Sequence, residues 1–99
     1  MAFKIRIEPE TFQDIQDGID WYNNKQKGLG RKFLTEVKSS FSKLKVNPFF
    51  QIRYDNVRCY PMPKFPFMIH FTIDESAKFV LIKAIFNTSR DPKYLENRK

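Results

Sequence analysis

Residues 65–92 read FPFMIHFTIDESAKFVLIKAIFNTSRDP, and this stretch carries the clearest structural pattern in the chain. Residues 67–73 alternate between two sides of a strand, which predicts two distinct faces. Phe67, Ile69, Phe71 and Ile73 lie on one side, and Met68, His70 and Thr72 on the other. Residues 79–86 are apolar on both sides except at one lysine, as in a strand inside a sheet. The DESAK segment between them is rich in residues that turns favour. We therefore expect an antiparallel strand pair, with polar residues 87–91 displayed at its end as a candidate functional surface.

The residues before this stretch predict a short strand followed by two helices. Residues 1–7 alternate between apolar and basic side chains, which is typical of a strand. Residues 9–25 have apolar side chains at helical spacing, and Pro9 suits the first turn of a helix. After the glycines of KGLG, a second apolar stripe runs to an Asn-Pro pair that ends the helix. The two stripes consist of Phe12, Ile15, Ile19 and Tyr22, and of Leu34, Val37, Phe41 and Leu44.

A turn at Asp55-Asn56 and a short strand at residues 57–60 complete the predicted order of elements, which is β-α-α-β-β-β. Two helices that are joined by a short glycine turn form an antiparallel hairpin. We therefore predict a single α+β domain over residues 1–99, in which an antiparallel sheet packs against an N-terminal helical hairpin.

Composition narrows the classes of partner and site. The net charge of +7 and the pI of about 9.7 favour a nucleic acid, the ribosome or an acidic protein as partner, although lysines on helix faces also make an ordinary solvated surface. Cys59 is the only cysteine, which excludes an internal disulfide and a zinc site built from several cysteines. We expect no metal or cofactor. The N-terminal residues resemble neither a signal peptide nor a membrane span, so we expect a cytoplasmic protein without membrane contact.

Several short segments have an order and spacing that is specific when they are taken together. They are Asp14-Ile15, Trp21-Tyr22, Gly28-Leu29-Gly30 with Phe33, Asn47-Pro48, Val57-Arg58, Phe65-Pro66-Phe67 with Ile69, and Arg90-Asp91-Pro92. Jointly they resemble the RelE/ParE superfamily of toxins from bacterial type II toxin–antitoxin systems. The resemblance covers nearly the whole chain and implies a small toxin that a cognate antitoxin neutralises. It also implies that operator DNA is reached only through the antitoxin.

The superfamily contains two kinds of toxin, so the resemblance leaves the chemistry open. RelE-like members cleave mRNA on the ribosome without a metal, whereas ParE-like members inhibit DNA gyrase by binding. Metal-free cleavage needs a base, cations around the phosphate and an acid. The candidates for these roles are Arg58, His70, Arg90 and Tyr94. His70 is the only histidine, and an unperturbed imidazole suits acid–base chemistry near neutral pH.

Two departures from the nuclease pattern favour the ParE-like alternative. Phe67 stands near the position of a further arginine of that pattern, and Tyr60 stands near one of its paired lysines. We therefore predict a gyrase-binding toxin with Arg90 and Tyr94 as target-binding residues. The first alternative is a ribosome-dependent mRNA endonuclease. The second is a non-toxic module that binds an antitoxin or has a regulatory role. All three predict an exposed apolar groove for an acidic or amphipathic antitoxin segment.

Each candidate also has a plain structural interpretation. His70 is expected to be a partly exposed residue of the sheet. Arg90 can instead cap the end of the last strand, or pair with Asp91 or with a carboxylate of the first helix. Tyr94 is expected to pack the end of the chain against the core. Trp21-Tyr22 is expected in the core and in the packing of the helical hairpin, and Cys59 as a small core residue.

Overall fold

The predicted β-α-α-β-β-β order is confirmed by the computed structural model, which describes residues 2–88. A short strand at residues 52–54 was not predicted, because three residues are too few to show alternation. The elements are β1 Lys4–Ile7, α1 Pro9–Lys25, α2 Leu29–Val46, β2 Ile52–Tyr54, β3 Val57–Pro61, β4 Phe67–Asp74 and β5 Phe79–Asn87.

The predicted strand pair is formed by β4 and β5, which are antiparallel over their whole length. Asp74 holds the turn between them. Its carboxylate accepts hydrogen bonds from the backbone N–H of Ala77 and from the hydroxyl of Ser76, both at 2.9 Å. These bonds lower the pKa of Asp74, with the Ala77 bond as the largest cause. The ionised carboxylate thus accepts both hydrogen bonds within the turn at neutral pH.

A β-bulge interrupts the pairing of β4 with β5. The register shifts between His70 and Phe71, and Lys83 is the extra residue on β5. Because of this residue, Ile82 and Ile85 point to the same side of the sheet although they are three positions apart, and both belong to the main core. Even-numbered residues of β5 therefore face the main core before the bulge, as Val80 and Ile82 do, and the opposite side after it, as Ala84 and Phe86 do. This change explains why the strand is apolar on both sides.

The five strands lie in the order β1-β5-β4-β3-β2. The pairs from β2 to β5 are antiparallel, as expected. β1, however, pairs with β5 in parallel, with Lys4 opposite Phe79 and Ile7 opposite Ile82, so the sheet is mixed. The sequence pattern does not specify the direction of β1, because two helices and not a tight turn connect it to the other strands.

Phe33 of α2 is the centre of the contact between the helical hairpin and the sheet. It is fully buried, and its ring centre lies 5.4 Å from that of Tyr22 and 5.0 Å from that of Phe67. α1 passes over this ring at Gly18, where an added Cβ atom would lie 2.5 Å from Phe33. The close approach of α1 to α2 therefore requires glycine at position 18.

The buried side of α2 matches the predicted stripe only in part. Val37 and Leu44 are fully buried, as predicted, but Phe33 and Ser40 are buried with them whereas Leu34 is only partly buried. The helix has two adjacent apolar stripes, and contact with α1 selects the one that contains Phe33. Among residues 2–88, neither helix is long and apolar enough to cross a membrane.

The face of the sheet away from the helices is apolar as well. Val57, Ala84 and Phe86 are buried there, and Tyr54 packs against them. On the helical face, Val80 and Ile82 are fully buried. β5 is therefore buried on both faces, as its sequence predicted.

Candidate functional site

His70 is enclosed on the face of the sheet away from the helices, with 6% of its surface exposed. The Tyr54 hydroxyl lies 2.9 Å from its Nδ1, Cys59 Sγ lies 3.5 Å from the same atom, and the Phe86 ring centre is 5.6 Å from the imidazole. Burial, with a smaller contribution from Arg53, lowers the pKa of His70 from 6.5 to about 4. The expectation of a partly exposed residue is wrong, because these side chains surround the ring.

A buried imidazole with this pKa is a poor general base. It is neutral at pH 7, and in the tautomer that carries the proton on Nε2 its Nδ1 would accept a hydrogen bond from the Tyr54 hydroxyl. Cys59 is enclosed beside it, and burial raises the pKa of its thiol, so the sulfur stays protonated. The interpretation of Cys59 as a core residue is confirmed. The three side chains form a neutral polar cluster that joins β2, β3 and β4.

Arg58 lies on β3 on the opposite side of the sheet from His70. Its Nη1 donates a hydrogen bond of 2.8 Å to the carbonyl of Phe50, and its guanidinium carbon lies 5.6 Å from the centre of the Phe49 ring. The side chain thus ties β3 to the segment between α2 and β2. Because the sheet separates them, Arg58 and His70 do not face a common substrate.

The other two predicted candidates, Arg90 and Tyr94, lie outside the described residues. The described chain ends at Thr88, whose backbone N–H donates a hydrogen bond of 2.8 Å to the carbonyl of Pro66. Within residues 2–88, no group of three or more His, Cys, Asp or Glu side chains is placed to hold a metal ion. Of the four predicted candidates, the described part of the chain therefore places only Arg58 and His70, and it does not bring these two together.

A cavity of about 520 Å³ opens between α1 and the end of β5. It lies at the end of the β4–β5 pair, where the sequence predicted a functional surface. We call it the α1–β5 cavity. It is lined by Asp14, Asp17, Gly18 and Trp21 of α1 and by Phe67, Ile85, Phe86 and Asn87 of the sheet.

The α1–β5 cavity begins where α1 stops covering the edge of β5. β1 ends opposite Ile82, and beyond that point α1 takes its place. The Thr11 hydroxyl donates a hydrogen bond of 3.2 Å to the carbonyl of Ile82, and the Asp14 carboxylate accepts one of 3.0 Å from the N–H of Ile85. Thr11 is fully buried. The Asp14 carboxylate satisfies the N–H of Ile85, whereas the carbonyl of Ile82 also accepts a hydrogen bond from the backbone N–H of Glu8. Together the Thr11 and Asp14 side chains fix α1 against the strand.

Trp21 was expected to pack in the core, but 56% of its surface is exposed. Its neighbour Tyr22 does pack there, with its ring centre 4.8 Å from that of Phe65. Consecutive helical residues point about 100° apart, so one of the two faces the sheet and the other the flank of the helix. Lys25 Nζ lies 4.6 Å from the centre of the Trp21 ring. An exposed indole beside two carboxylates is suited to cationic and aromatic side chains of a polypeptide partner.

A second exposed apolar surface lies where α2 is followed by β2. Val46, Phe49 and Ile52 are exposed to 76%, 51% and 47%, and we call them the α2–β2 patch. The patch adjoins an edge of the sheet, because β2 is the last strand in the order. A strand of three residues leaves few backbone groups open to pairing, so side chains dominate this surface.

Two residues of these sites have roles that the sequence analysis did not assign. Asp14 belongs to a segment of the family resemblance, and its spacing of three from Thr11 was a usable signal that both residues lie on one side of α1. Tyr54 directly precedes the Asp55-Asn56 turn, and no local pattern connects it to His70. Their contact depends on pairing between β2, β3 and β4, which a single sequence does not display.

No protein-family model matches the sequence, and a comparison with curated proteins gives no match. Solved structures do match. A structure of the chromosomal ParDE toxin–antitoxin system from P. aeruginosa is 15% identical with a TM-score of 0.75, covering 87% of this chain and 96% of that chain. A mutant of the E. coli toxin RelE in the free state is 9% identical with a TM-score of 0.72, covering 99% and 98%. The RelBE2 toxin–antitoxin complex from Mycobacterium tuberculosis is 14% identical with a TM-score of 0.62, covering 88% and 99%. The chain therefore has the fold of the RelE/ParE superfamily of toxins.

Proposed function

We propose that this protein is the toxin of a type II toxin–antitoxin system and that it acts by binding DNA gyrase, in the manner of ParE-like toxins. The observation that carries the proposal is the position of Arg58 and His70 on opposite faces of the sheet. Metal-free RNA cleavage requires a base and cations around one phosphate, and a buried, neutral imidazole does not serve as that base. The fold shared with the ParDE structure supports the same role.

The gyrase proposal is tested by supercoiling of relaxed plasmid DNA with purified gyrase. Protein in molar excess is expected to inhibit supercoiling or to trap gyrase on cleaved DNA. The matched control is the same preparation after incubation with its antitoxin, which is expected to restore activity. Supercoiling that remains unchanged at large excess contradicts gyrase as the target.

We assign the α1–β5 cavity and the α2–β2 patch to the cognate antitoxin. Both surfaces expose large apolar side chains, Trp21 in the first and Phe49 in the second, and covering such side chains is a main source of binding energy in protein interfaces. The net charge of +7 favours an antitoxin segment that is acidic outside these two contacts. Co-expression with the product of a short neighbouring gene is expected to give a stable complex and to restore growth.

Ribosome-dependent mRNA cleavage is the second candidate, and the match to RelE over nearly the whole chain favours it. Mapping of RNA ends after induction distinguishes the two functions. Cuts at the ribosomal decoding site would establish the nuclease, whereas their absence together with gyrase inhibition supports the first proposal. Normal growth after induction without an antitoxin would instead indicate a toxin fold that retains only antitoxin binding or a regulatory role.

A further inference from the structure

The first half of α2 and the loop before β4 border a second cavity, which is open to solvent and has a volume of about 510 Å³. We call it the basic cavity. It lies on other elements than the α1–β5 cavity, and the proposed toxin function uses none of its residues. It is lined by Arg31, Lys32, Thr35 and Glu36 of α2 and by Lys64 and Phe65 of the loop.

The charge of the basic cavity is largely uncompensated. Three cations surround it and Glu36 is the single carboxylate in its lining, which leaves a formal charge of +2. Arg31, Lys32 and Lys64 are all exposed, and none of them forms a salt bridge within residues 2–88. Glu36 follows Lys32 by four positions, and on a helix this order, with the cation nearer the N-terminus, gives a weaker ion pair than the reverse order. The first turn of α2 has no acidic residue, so the helix dipole adds positive potential.

Phe65 provides the basic cavity with a fixed aromatic wall. Its ring is half-buried, and T-shaped contacts hold it against Tyr22 and Phe33, with ring centres 4.8 Å and 5.4 Å away. Cations beside an immobile aromatic ring are the combination by which proteins bind single-stranded nucleic acids, since the cations contact phosphates and the ring packs against a base. An acidic peptide would use the cations but not the ring.

We propose that the basic cavity binds the phosphodiester backbone of a single-stranded nucleic acid without regard to its sequence. The volume falls within the range of about 300–1,000 Å³ that is usual for small-ligand sites. Arg31 can contact a phosphate through two N–H groups, and Lys32 and Lys64 contact it as point charges. This contact is made by the chain itself, and it is separate from recognition of operator DNA through an antitoxin.

The test is fluorescence anisotropy with short fluorescein-labelled strands of DNA and of RNA that have the same base sequence. Binding is expected to weaken as salt is added, and the relative affinity of the two strands identifies the natural source of the phosphodiester. The triple variant Arg31→Gln, Lys32→Gln, Lys64→Gln is expected to lose about tenfold or more in affinity. Its slope of log K against log salt should fall by about 2, because each lost contact on a single strand contributes about 0.7.

The matched control removes three cations from the same helix outside the basic cavity, through Lys38→Gln, Lys43→Gln and Lys45→Gln. All of the substituted residues are exposed, so both variants are expected to fold, which thermal unfolding verifies. The control should keep most of the affinity and the slope. Equal losses in the two variants overturn the proposal, because binding would then reflect net charge alone.

Two other outcomes also overturn the proposal. One is the absence of strand binding by the wild-type chain at low salt. The other is displacement of the strand by a polyglutamate peptide at equal charge concentration, together with a loss of affinity for that peptide in the triple variant. This result would identify an acidic protein as the occupant. The assay contains neither gyrase nor ribosomes, so its result is independent of the outcome of the supercoiling and RNA-mapping experiments.

Discussion

The buried imidazole of His70 makes the stability of this protein depend on pH. Its pKa is about 4 in the folded state, against 6.5 for an unperturbed histidine. Between these values the unfolded chain binds more protons than the folded one. The free energy of unfolding is therefore expected to fall as the pH is lowered from about 6.5 to about 4 and to level off below that range, with a total loss of about 3 kcal/mol from this group.

Urea unfolding at a series of pH values measures this dependence of stability on His70. The matched variant is His70→Gln, because the amide oxygen of glutamine can accept the hydrogen bond from Tyr54 but the side chain does not titrate. Its free energy of unfolding should vary less with pH over the same range. An unchanged pH dependence in the variant would assign the effect to other groups.

Arg90 follows β5 by three residues and lies outside the described part of the chain. If it binds the target, Arg90→Ala is expected to reduce growth inhibition strongly while the thermal unfolding midpoint stays nearly constant. Arg90→Lys keeps the charge but not the planar fork, and should restore only part of the inhibition. Growth after induction and thermal unfolding of the purified variants are the two measurements. Parallel losses of toxicity and stability would mean that Arg90 is structural.

At the level of whole elements, α1 depends on Asp14 for its attachment to the edge of β5. Asp14→Ala would leave the N–H of Ile85 without its acceptor at a partly buried position, with an expected loss of about 1–3 kcal/mol. Asp14→Asn keeps an acceptor oxygen and should lose less. Hydrogen exchange at the Ile85 amide measures the effect directly. Equal protection of that amide in the alanine variant and the wild type would contradict the role of Asp14.

The packing of α1 on α2 makes its own prediction at Gly18. Gly18→Ala places a methyl group 2.5 Å from the Phe33 ring, which is fully buried and held by other aromatic rings. We expect a loss of about 1–3 kcal/mol from overpacking, measured by urea unfolding. Asn24→Ala at an exposed position of the same helix is the control and should change stability by less than about 0.5 kcal/mol. A neutral Gly18→Ala variant would show that the ring yields.

The sequence predicted best the elements that are long enough to show a periodic pattern within their own residues. α1, α2, β4 and β5 each contain enough residues for helical or alternating periodicity to be visible, and the turns between them have typical residues. The direction of β1, the burial of His70 and the exposure of Trp21 depend instead on which elements meet in space. Periodicity identifies an apolar stripe, but the choice between two adjacent stripes on α2 is made by contact with Gly18 of α1.

In the molecule as a whole, the helical hairpin is divided by charge. α1 carries Glu10, Asp14, Asp17 and Asp20, with Lys25 as its only cation, whereas α2 carries five cations and only Glu36 as an acid. The acidic helix borders the α1–β5 cavity and the basic helix borders the basic cavity. We therefore expect the two cavities to favour partners of opposite charge, a polypeptide with cationic side chains at the first and a polyanion at the second.

Trp21 is the only tryptophan of the chain and reports directly on occupancy of the α1–β5 cavity. If the proposed antitoxin binds there, the exposed indole is expected to become buried, so that its fluorescence emission shifts to shorter wavelength and acrylamide quenching decreases. Trp21→Ala is expected to weaken antitoxin binding by about 2 kcal/mol or more, as for other buried aromatic contacts at interfaces. Isothermal titration calorimetry measures the affinity.

Phe12 offers a matched control for Trp21, because it is exposed to 57% on the same helix but nine residues away, about half a turn round the axis. Phe12→Ala removes a comparable exposed ring without touching the cavity, and should leave the affinity within about threefold. If both substitutions weaken the complex equally, the antitoxin covers α1 as a whole. If the emission of Trp21 is unchanged in a complex that has formed, the α1–β5 cavity stays open and antitoxin binding must be reassigned to the α2–β2 patch.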